Sequence, residues 1–227
     1  MPAQLIFDLP TKPALGRDDF FISAANELAV SLVGDWANWP SGKMLLVGPA
    51  GSGKTHLVHV WASETDADIL QASQLATMDI AACAKRNRQI AVEDIDHIAN
   101  NPACQDALFH LHNLVLAEGG RLLMSAATPP GVWQFTLPDL ASRVQSASLA
   151  TLQPADDMLL TAVLLKLFAD RQIVVKPDVI SYLVARMDRS FEAARTLVTA
   201  LDAAALAEKR AVTKALAMRV FETQENS

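Results

Sequence analysis

The sequence predicts a three-layer α/β domain on a mostly parallel sheet, followed by a small all-helical domain, and three observations carry that expectation. Short apolar runs at Lys43–Val47, Ile69–Ala72, Gln89–Asp94, Arg121–Ala126 and Ser148–Leu152 alternate with helical stretches, the pattern of a parallel sheet covered on both faces. The segment Gly48-Pro-Ala-Gly-Ser-Gly-Lys54-Thr55 fits GxxxxGK[ST] at every constrained place, and it lies between the first of those runs and a helix beginning at Thr55. After Pro154 only helical spacing continues, through Leu159, Leu160, Val163, Leu164, Leu167 and Phe168, then Ile180, Leu183, Val184 and Met187, then Leu197, Val198 and Leu201, then Leu216 and Val220. Ile173–Val175 is the one strand-like run in that half.

In chain order, residues 1–13 read as an extended tail, 14–153 as the α/β domain and 154–227 as the helical domain, with Pro154 as the hinge because it cannot continue a ladder. From Asp18 to Ala37 the apolar positions predict an ordered turn with Phe20 and Phe21, then a helix packed through Leu28, Leu32 and Trp36.

Composition narrows the function classes. The chain has 227 residues, enough for one good core and a smaller second unit, and its 51% hydrophobic and 19% charged content is that of a globular protein. No apolar run approaches the length of a membrane span, and Met1 to Pro10 lacks the basic start and long apolar core of a secretory signal, so a cytoplasmic protein with no membrane role is expected. Cys83 and Cys104 form no CxxC and are expected to be buried free thiols rather than a disulfide or zinc site. A net charge of −6 argues against a chain that coats nucleic acid by itself, and Lys85, Arg86 and Arg88 read as a solvated edge.

The glycine-rich segment points to a nucleotide. Its glycines let backbone amides converge on a phosphate at a helix N-terminus, where unpaired N–H groups and the helix dipole already favour an anion. Lys54 then reaches the β- and γ-phosphates, and Thr55 places its hydroxyl on a magnesium ion. Gln89-Ile-Ala-Val-Glu93-Asp94 is a short strand ending in two acids, a usual way to manage metal and water beside such a loop. Glu93 would help hold the metal's water shell and Asp94 would orient or deprotonate the lytic water; the plainer alternative is a strand that simply ends in polar residues. Asp96 reads as a helix N-cap or surface residue. Arg143, between the fourth and fifth strands, is placed to project its guanidinium from the domain surface, and Arg195, at the start of the third helix of the helical half, to fold over the phosphates; the plainer alternative for each is an ordinary surface arginine.

Several boxes in order carry a family likeness. Asn26-Glu-Leu-Ala, Gly48-Pro-Ala-Gly-Ser-Gly-Lys-Thr-His56-Leu, Glu93-Asp94-Ile-Asp, Thr128-Pro-Pro130, Leu140-Ala-Ser-Arg143-Val and Ala194-Arg195-Thr-Leu197 resemble the AAA+ module of the bacterial replication initiator DnaA. The likeness runs from Asp18 onward. The chain stops soon after Leu201-Asp-Ala-Ala-Ala-Leu-Ala-Glu-Lys-Arg210, with no room for the initiator's C-terminal helix-turn-helix, and so is similar to the DnaA-related regulators that inactivate the initiator once replication has begun.

That resemblance implies ADP or ATP with Mg2+, held by Phe20, Phe21 and Asn26 around the adenine and by Pro49, Ala50, Gly51, Ser52, Gly53, Lys54, Thr55 and His56 around the phosphates. It implies Thr55 and Glu93 at the metal, Asp94 at the water, Arg195 as the sensor-2 arginine and Arg143 as an arginine finger acting in trans on a neighbour's nucleotide. It gives the tail meaning too: Gln4-Leu5-Ile-Phe7-Asp-Leu9 resembles the peptides by which replication proteins dock on the β sliding clamp. In an extended strand Leu5, Phe7 and Leu9 face one way, with Gln4 hydrogen-bonding at the pocket rim. The implied partners are DnaA, the clamp and, through the clamp, DNA, with a homo-oligomer as a further option. Two departures bear on catalysis: the first acid is Glu93 where the family has Asp, and Ala126 and Ala127 stand where a polar sensor-1 group is expected, so slow intrinsic hydrolysis is expected. The rival functions are an autonomous AAA+ ATPase of the helicase-loader type and a small-molecule kinase, and turnover with and without DNA, clamp and DnaA separates them.

Overall fold

The computed structural model describes residues 21–225; Gln4, Leu5, Phe7, Leu9 and Phe20, expected at the clamp and the adenine, lie outside them. A five-stranded parallel sheet is built from β1 (Lys43–Val47), β2 (Asp68–Gln71), β3 (Gln89–Glu93), β4 (Arg121–Ala126) and β5 (Ser148–Thr151), in the order β2-β3-β4-β1-β5. All four pairings are parallel, and the strands fall within a residue or so of the expected runs. β1 is buried along its whole length, which is why its sequence is a continuous apolar run rather than an alternation.

The period of two then sorts side chains onto the two faces. Leu45, Val47, Ile90, Val92, Leu122 and Met124 join Ala84 of α3 (Ile80–Arg86), Leu108, Leu111 and Val115 of α4 (Pro102–Ala117), and Leu140 and Val144 of α5 (Pro138–Gln145). Met44, Leu46, Ala91, Leu123 and Ala150 join Ala29 and Val33 of α1 (Glu27–Gly34) and Leu57, Val58 and Trp61 of α2 (Lys54–Thr65). Helices on both faces of a parallel sheet make the predicted three layers. From Ala155 onward a separate core forms among α6 (Asp157–Asp170), α7 (Pro177–Val184), α8 (Phe191–Glu208) and α9 (Lys214–Glu225). Asp156 starts α6 by accepting from Leu159 N–H at 2.7 Å, and Ser190 starts α8 by accepting from Ala193 N–H at 3.1 Å.

One expectation is corrected. The first helix ends at Gly34 and fully buries Ala29 and Val33, one turn apart; Leu32 and Trp36 are half-buried and pack against the same core as expected, but Leu28 is 71% exposed. The large residues suggested one face, but close approach to β5 and α2 selects the smaller pair. The strand-like run Ile173–Val175 forms no strand, in keeping with the expected all-helical second half; Val174 is 92% exposed in a linker between α6 and α7, and β-branched composition alone does not pair a strand. Both cysteines are buried free thiols, as expected. Among the described residues no helix is long and apolar enough to cross a membrane.

Candidate nucleotide site

The carboxyl ends of β1, β3 and β4 share one edge of the sheet, beside the point where strand order reverses, which is where open α/β sheets take ligands. A cleft of about 460 Å³ opens there, with Ala50, Gly51, Gly53, Lys54, Thr55 and His56 from the loop and start of α2 on one wall. Asp94 and His97 come from the segment after β3 and Ala127 from the end of β4. The helical half closes the cleft with Leu159, Val163, Lys166 and Leu167 of α6 and Phe191, Glu192 and Arg195 of α8, and Phe21 completes the apolar end. A glycine-rich loop with a buried lysine at one end and an aromatic and aliphatic wall at the other suit a nucleotide lying across both halves.

Each part of the loop has a local cause. Gly51 and Gly53 take φ of +70° and +97°, left-handed values that glycine adopts without cost. They also lie against the helical half: a Cβ on Gly51 would sit 2.3 Å from Ser190 Cβ, and one on Gly53 would sit 2.6 Å from the Phe191 ring. Phe191 N–H donates to Gly51 O at 2.9 Å, so the start of α8 is hydrogen-bonded to the glycine-rich loop itself. Lys54 is buried and donates from Nζ to Gly48 O at 2.7 Å and Pro49 O at 3.0 Å. Burial lowers its pKa, opposed by the carboxylates of Asp94, Asp96 and Glu93. Ser52 is buried with its hydroxyl oxygen unpartnered, and Pro49 is exposed outside the cleft wall.

Asn26 does not reach the cleft. It is buried, accepts from Ser23 N–H at 2.8 Å and donates from Nδ2 to Phe21 O at 2.8 Å, so it fixes the turn that presents Phe21. Asp94 lies on the cleft in the left-handed region, at φ 57°, with its N–H on Ser125 Oγ at 3.2 Å. Glu93 is turned away: it is 3% exposed, Oε2 accepts from Gln71 Nε2 at 3.0 Å, and Oε1 is buried without a partner. Asp96 departs from its expected place as a helix N-cap or surface group. It is half-buried, Oδ2 accepts from Ala127 N–H at 3.0 Å and Oδ1 is buried and unpartnered, so the carboxylate binds the end of β4 where sensor 1 was sought.

The donor set fits a magnesium ion accompanied by phosphates. Among the described residues no cluster of three acidic, His or Cys side chains forms an all-protein cage. Mg2+ is normally held by one or two carboxylates, waters and substrate phosphates, and Thr55 and Asp94 on the cleft, with the orphaned Glu93 oxygen behind, match that chemistry.

The two arginines separate. Arg195 is on the cleft wall. Arg143 is exposed on α5 and absent from that wall, its guanidinium 5.1 Å from the centre of the Phe109 ring of α4. Beneath it the buried Lys43 donates to Arg143 O at 2.7 Å and Ser146 Oγ at 2.9 Å, an ammonium on a carbonyl in the last turn of the helix. Sequence reasoning missed Lys166, His97, Phe191 and Glu192. Phe191 and Glu192 directly follow the Ser190 cap, and a cap three residues ahead of Ala193 was the available signal.

No protein-family profile matches the chain. The replication initiator DnaA of Caulobacter vibrioides is 28% identical over 217 residues, covering 82% of this chain and 43% of that protein. DnaA of Thermomicrobium roseum is 24% identical, covering 92% of this chain and 50% of that protein, so the chain spans half or less of these relatives. Among solved structures, domain III of Thermotoga maritima DnaA superposes with a TM-score of 0.80 at 17% identity, covering 95% of this chain and 98% of that one. A DnaA bound to AMPPCP and single-stranded DNA superposes with a TM-score of 0.73 at 16% identity, covering 84% of this chain and 65% of that one.

Proposed function

We propose, on the premise that the chain is a DnaA-related AAA+ protein, that it acts in the manner of Hda, the DnaA homologue that shuts the initiator off after replication begins. An adenine nucleotide, ADP or ATP with Mg2+, lies in the cleft and holds residues 14–153 and the helical lid at 154–227 in one orientation. The N-terminal peptide with Gln4, Leu5, Phe7 and Leu9 docks on the β sliding clamp, and Arg143 is presented to ATP held by DnaA, lowering initiation by leaving DnaA in its ADP form. In this reading the chain is chiefly an activator of a partner's hydrolysis.

One observation carries the reading: Arg143 is exposed on a helix outside its own nucleotide cleft, as a group working on another subunit's phosphates must be. A guanidinium supplied in trans stabilises charge on the transferring phosphoryl group and is worth on the order of 10³–10⁵ in rate in other NTPases. Weak hydrolysis in this chain's own cleft fits the site. Ala127 offers no side-chain polar group there, and Glu93 is held toward β2 by Gln71.

The test is hydrolysis of ATP preloaded on DnaA, with clamp loaded on DNA, comparing the chain with a form lacking residues 1–10. The intact chain is expected to accelerate hydrolysis at least a hundredfold and the truncated form to lose that acceleration while binding ADP normally. Steady multiple turnover by the chain alone, indifferent to DnaA and clamp, would favour the autonomous ATPase instead.

A further inference from the structure

Gln105 is fully buried in α4, and its amide hydrogen-bonds two segments that lie far apart in the chain and border the same core. Its Nε2 donates to Ile98 O at 3.0 Å and Ala99 O at 2.7 Å, at the end of the turn Ile95–Ile98 that follows the acidic box. Its Oε1 accepts from Thr136 N–H at 2.9 Å, Thr136 Oγ1 at 3.2 Å and Leu137 N–H at 3.1 Å, at the entry to α5. Carbonyls on one side and N–H groups on the other allow only one orientation of the amide. Leu137 offers α5 no side-chain cap, and Pro138 follows, so Gln105 supplies the polar partner that this helix start lacks.

The turn on one side belongs to the nucleotide cleft. Asp94 and His97 line the cleft, Asp94 N–H is held by Ser125, and Asp96 holds Ala127 N–H, another cleft residue. The helix on the other side carries Arg143. One turn beyond Gln105 on the same face of α4, Phe109 lies under the Arg143 guanidinium, and three residues further His112 stands 3.4 Å from the Lys43 ammonium that binds Arg143 O. Positions 105, 109 and 112 thus form one stripe of α4 that grips α5 at its start, at the finger itself and at its end.

We propose that Gln105 is the positioning residue through which the nucleotide cleft sets the attitude of Arg143. A phosphate or metal that shifts Asp94, His97 or Ala127 moves the turn, and the buried amide passes that shift to the first N–H groups of α5. A hydrogen-bonded relay in a close-packed interior has little slack, since neither end can leave without orphaning a buried group. The inference rests on reading Arg143 as the trans-acting group for its consequence, but the coupling is measurable without any partner.

The experiment is amide hydrogen exchange on the full chain with and without ADP and Mg2+, repeated with Gln105→Met, which keeps the side chain's length and removes its hydrogen bonds. In the parent, ADP is expected to slow exchange of 136–145 at least threefold. In Gln105→Met, exchange there is expected to be fast and indifferent to ADP, with ADP affinity within about threefold of the parent. If Gln105→Met does not fold, Gln105→Glu, which keeps the acceptor for Thr136 and Leu137 and loses the donor to Ile98 and Ala99, carries the same comparison. An ADP response of 136–145 that survives the substitution, or a parent in which ADP leaves 136–145 unchanged, overturns the proposal. Because the readout contains no DnaA, loss of the finger reading would leave this result standing, and its own failure would leave the finger to be judged separately.

Discussion

Replacing Gly51 by alanine probes the contact between the glycine-rich loop and the helical half. The added Cβ would lie 2.3 Å from Ser190 Cβ and 3.3 Å from Ser190 Cα, backbone-anchored atoms that cannot rotate away. Ordinary carbon contacts begin near ~3.5 Å, so the start of α8 must retreat by about 1 Å. That retreat stretches the 2.9 Å bond from Phe191 N–H to Gly51 O beyond useful range. Holding alanine at a left-handed φ costs about 1–2 kcal/mol, and the lost hydrogen bond about 1 more. The expected loss of about 2–3 kcal/mol corresponds to a fall in melting temperature of roughly 5–10 °C for a chain of this size. Gly34→Ala is the control, because nothing lies within 4 Å of its Cβ and its φ is not left-handed. Thermal unfolding followed by circular dichroism, with calorimetric titration of ADP, reads both effects: Gly51→Ala should melt early and bind ADP at least tenfold more weakly. Unchanged melting and ADP binding would refute the docking of α8 on the loop.

Other outcomes follow from the same geometry. Lys54→Ala removes the buried ammonium of the loop and should abolish ADP binding in a fluorescent-nucleotide titration while leaving far-ultraviolet circular dichroism intact. His112 is buried, and burial, with Lys43 and Arg143 nearby, lowers its pKa from 6.5 to about 4 against the pull of Asn113. A lowered histidine keeps its stabilising neutral form above pH 6.5 and loses it as pH falls toward 4, because the unfolded chain takes up the proton first. Unfolding by urea should therefore show stability falling across that window by up to about 3 kcal/mol, and His112→Gln should flatten the fall. Arg195→Ala, which removes a cation from the cleft wall, should weaken ADP binding several-fold in the same titration without lowering the melting temperature of the unliganded chain.

What was legible in the sequence was what local pattern fixes. Apolar runs marked the central strands β1, β3 and β4 because parallel strands buried between layers need apolar residues on both faces, and Gly48 to Thr55 marked the loop because its backbone demands glycine in set places. Contacts between distant segments were less visible. Asp96 looked like a cap because it follows a strand by a few residues, yet its partner is Ala127, thirty-one residues away. Gln105 carries no local signal in the sequence, and only the folding of two loops onto α4 buries it. Leu28 misled because a short helix against a sheet packs through whichever residues allow close approach, here Ala29 and Val33.

The central claim assigns Arg143 work outside its own cleft, and single-turnover hydrolysis of ATP on DnaA, with loaded clamp and the chain in excess, tests it most directly. Arg143→Ala should fold, dock on the clamp and bind ADP like the parent, yet lose the acceleration by at least a hundredfold. Arg143→Lys should recover little, since a point-like ammonium cannot engage phosphate oxygens as the planar guanidinium does. Acceleration by Arg143→Ala equal to that of the parent would contradict the account.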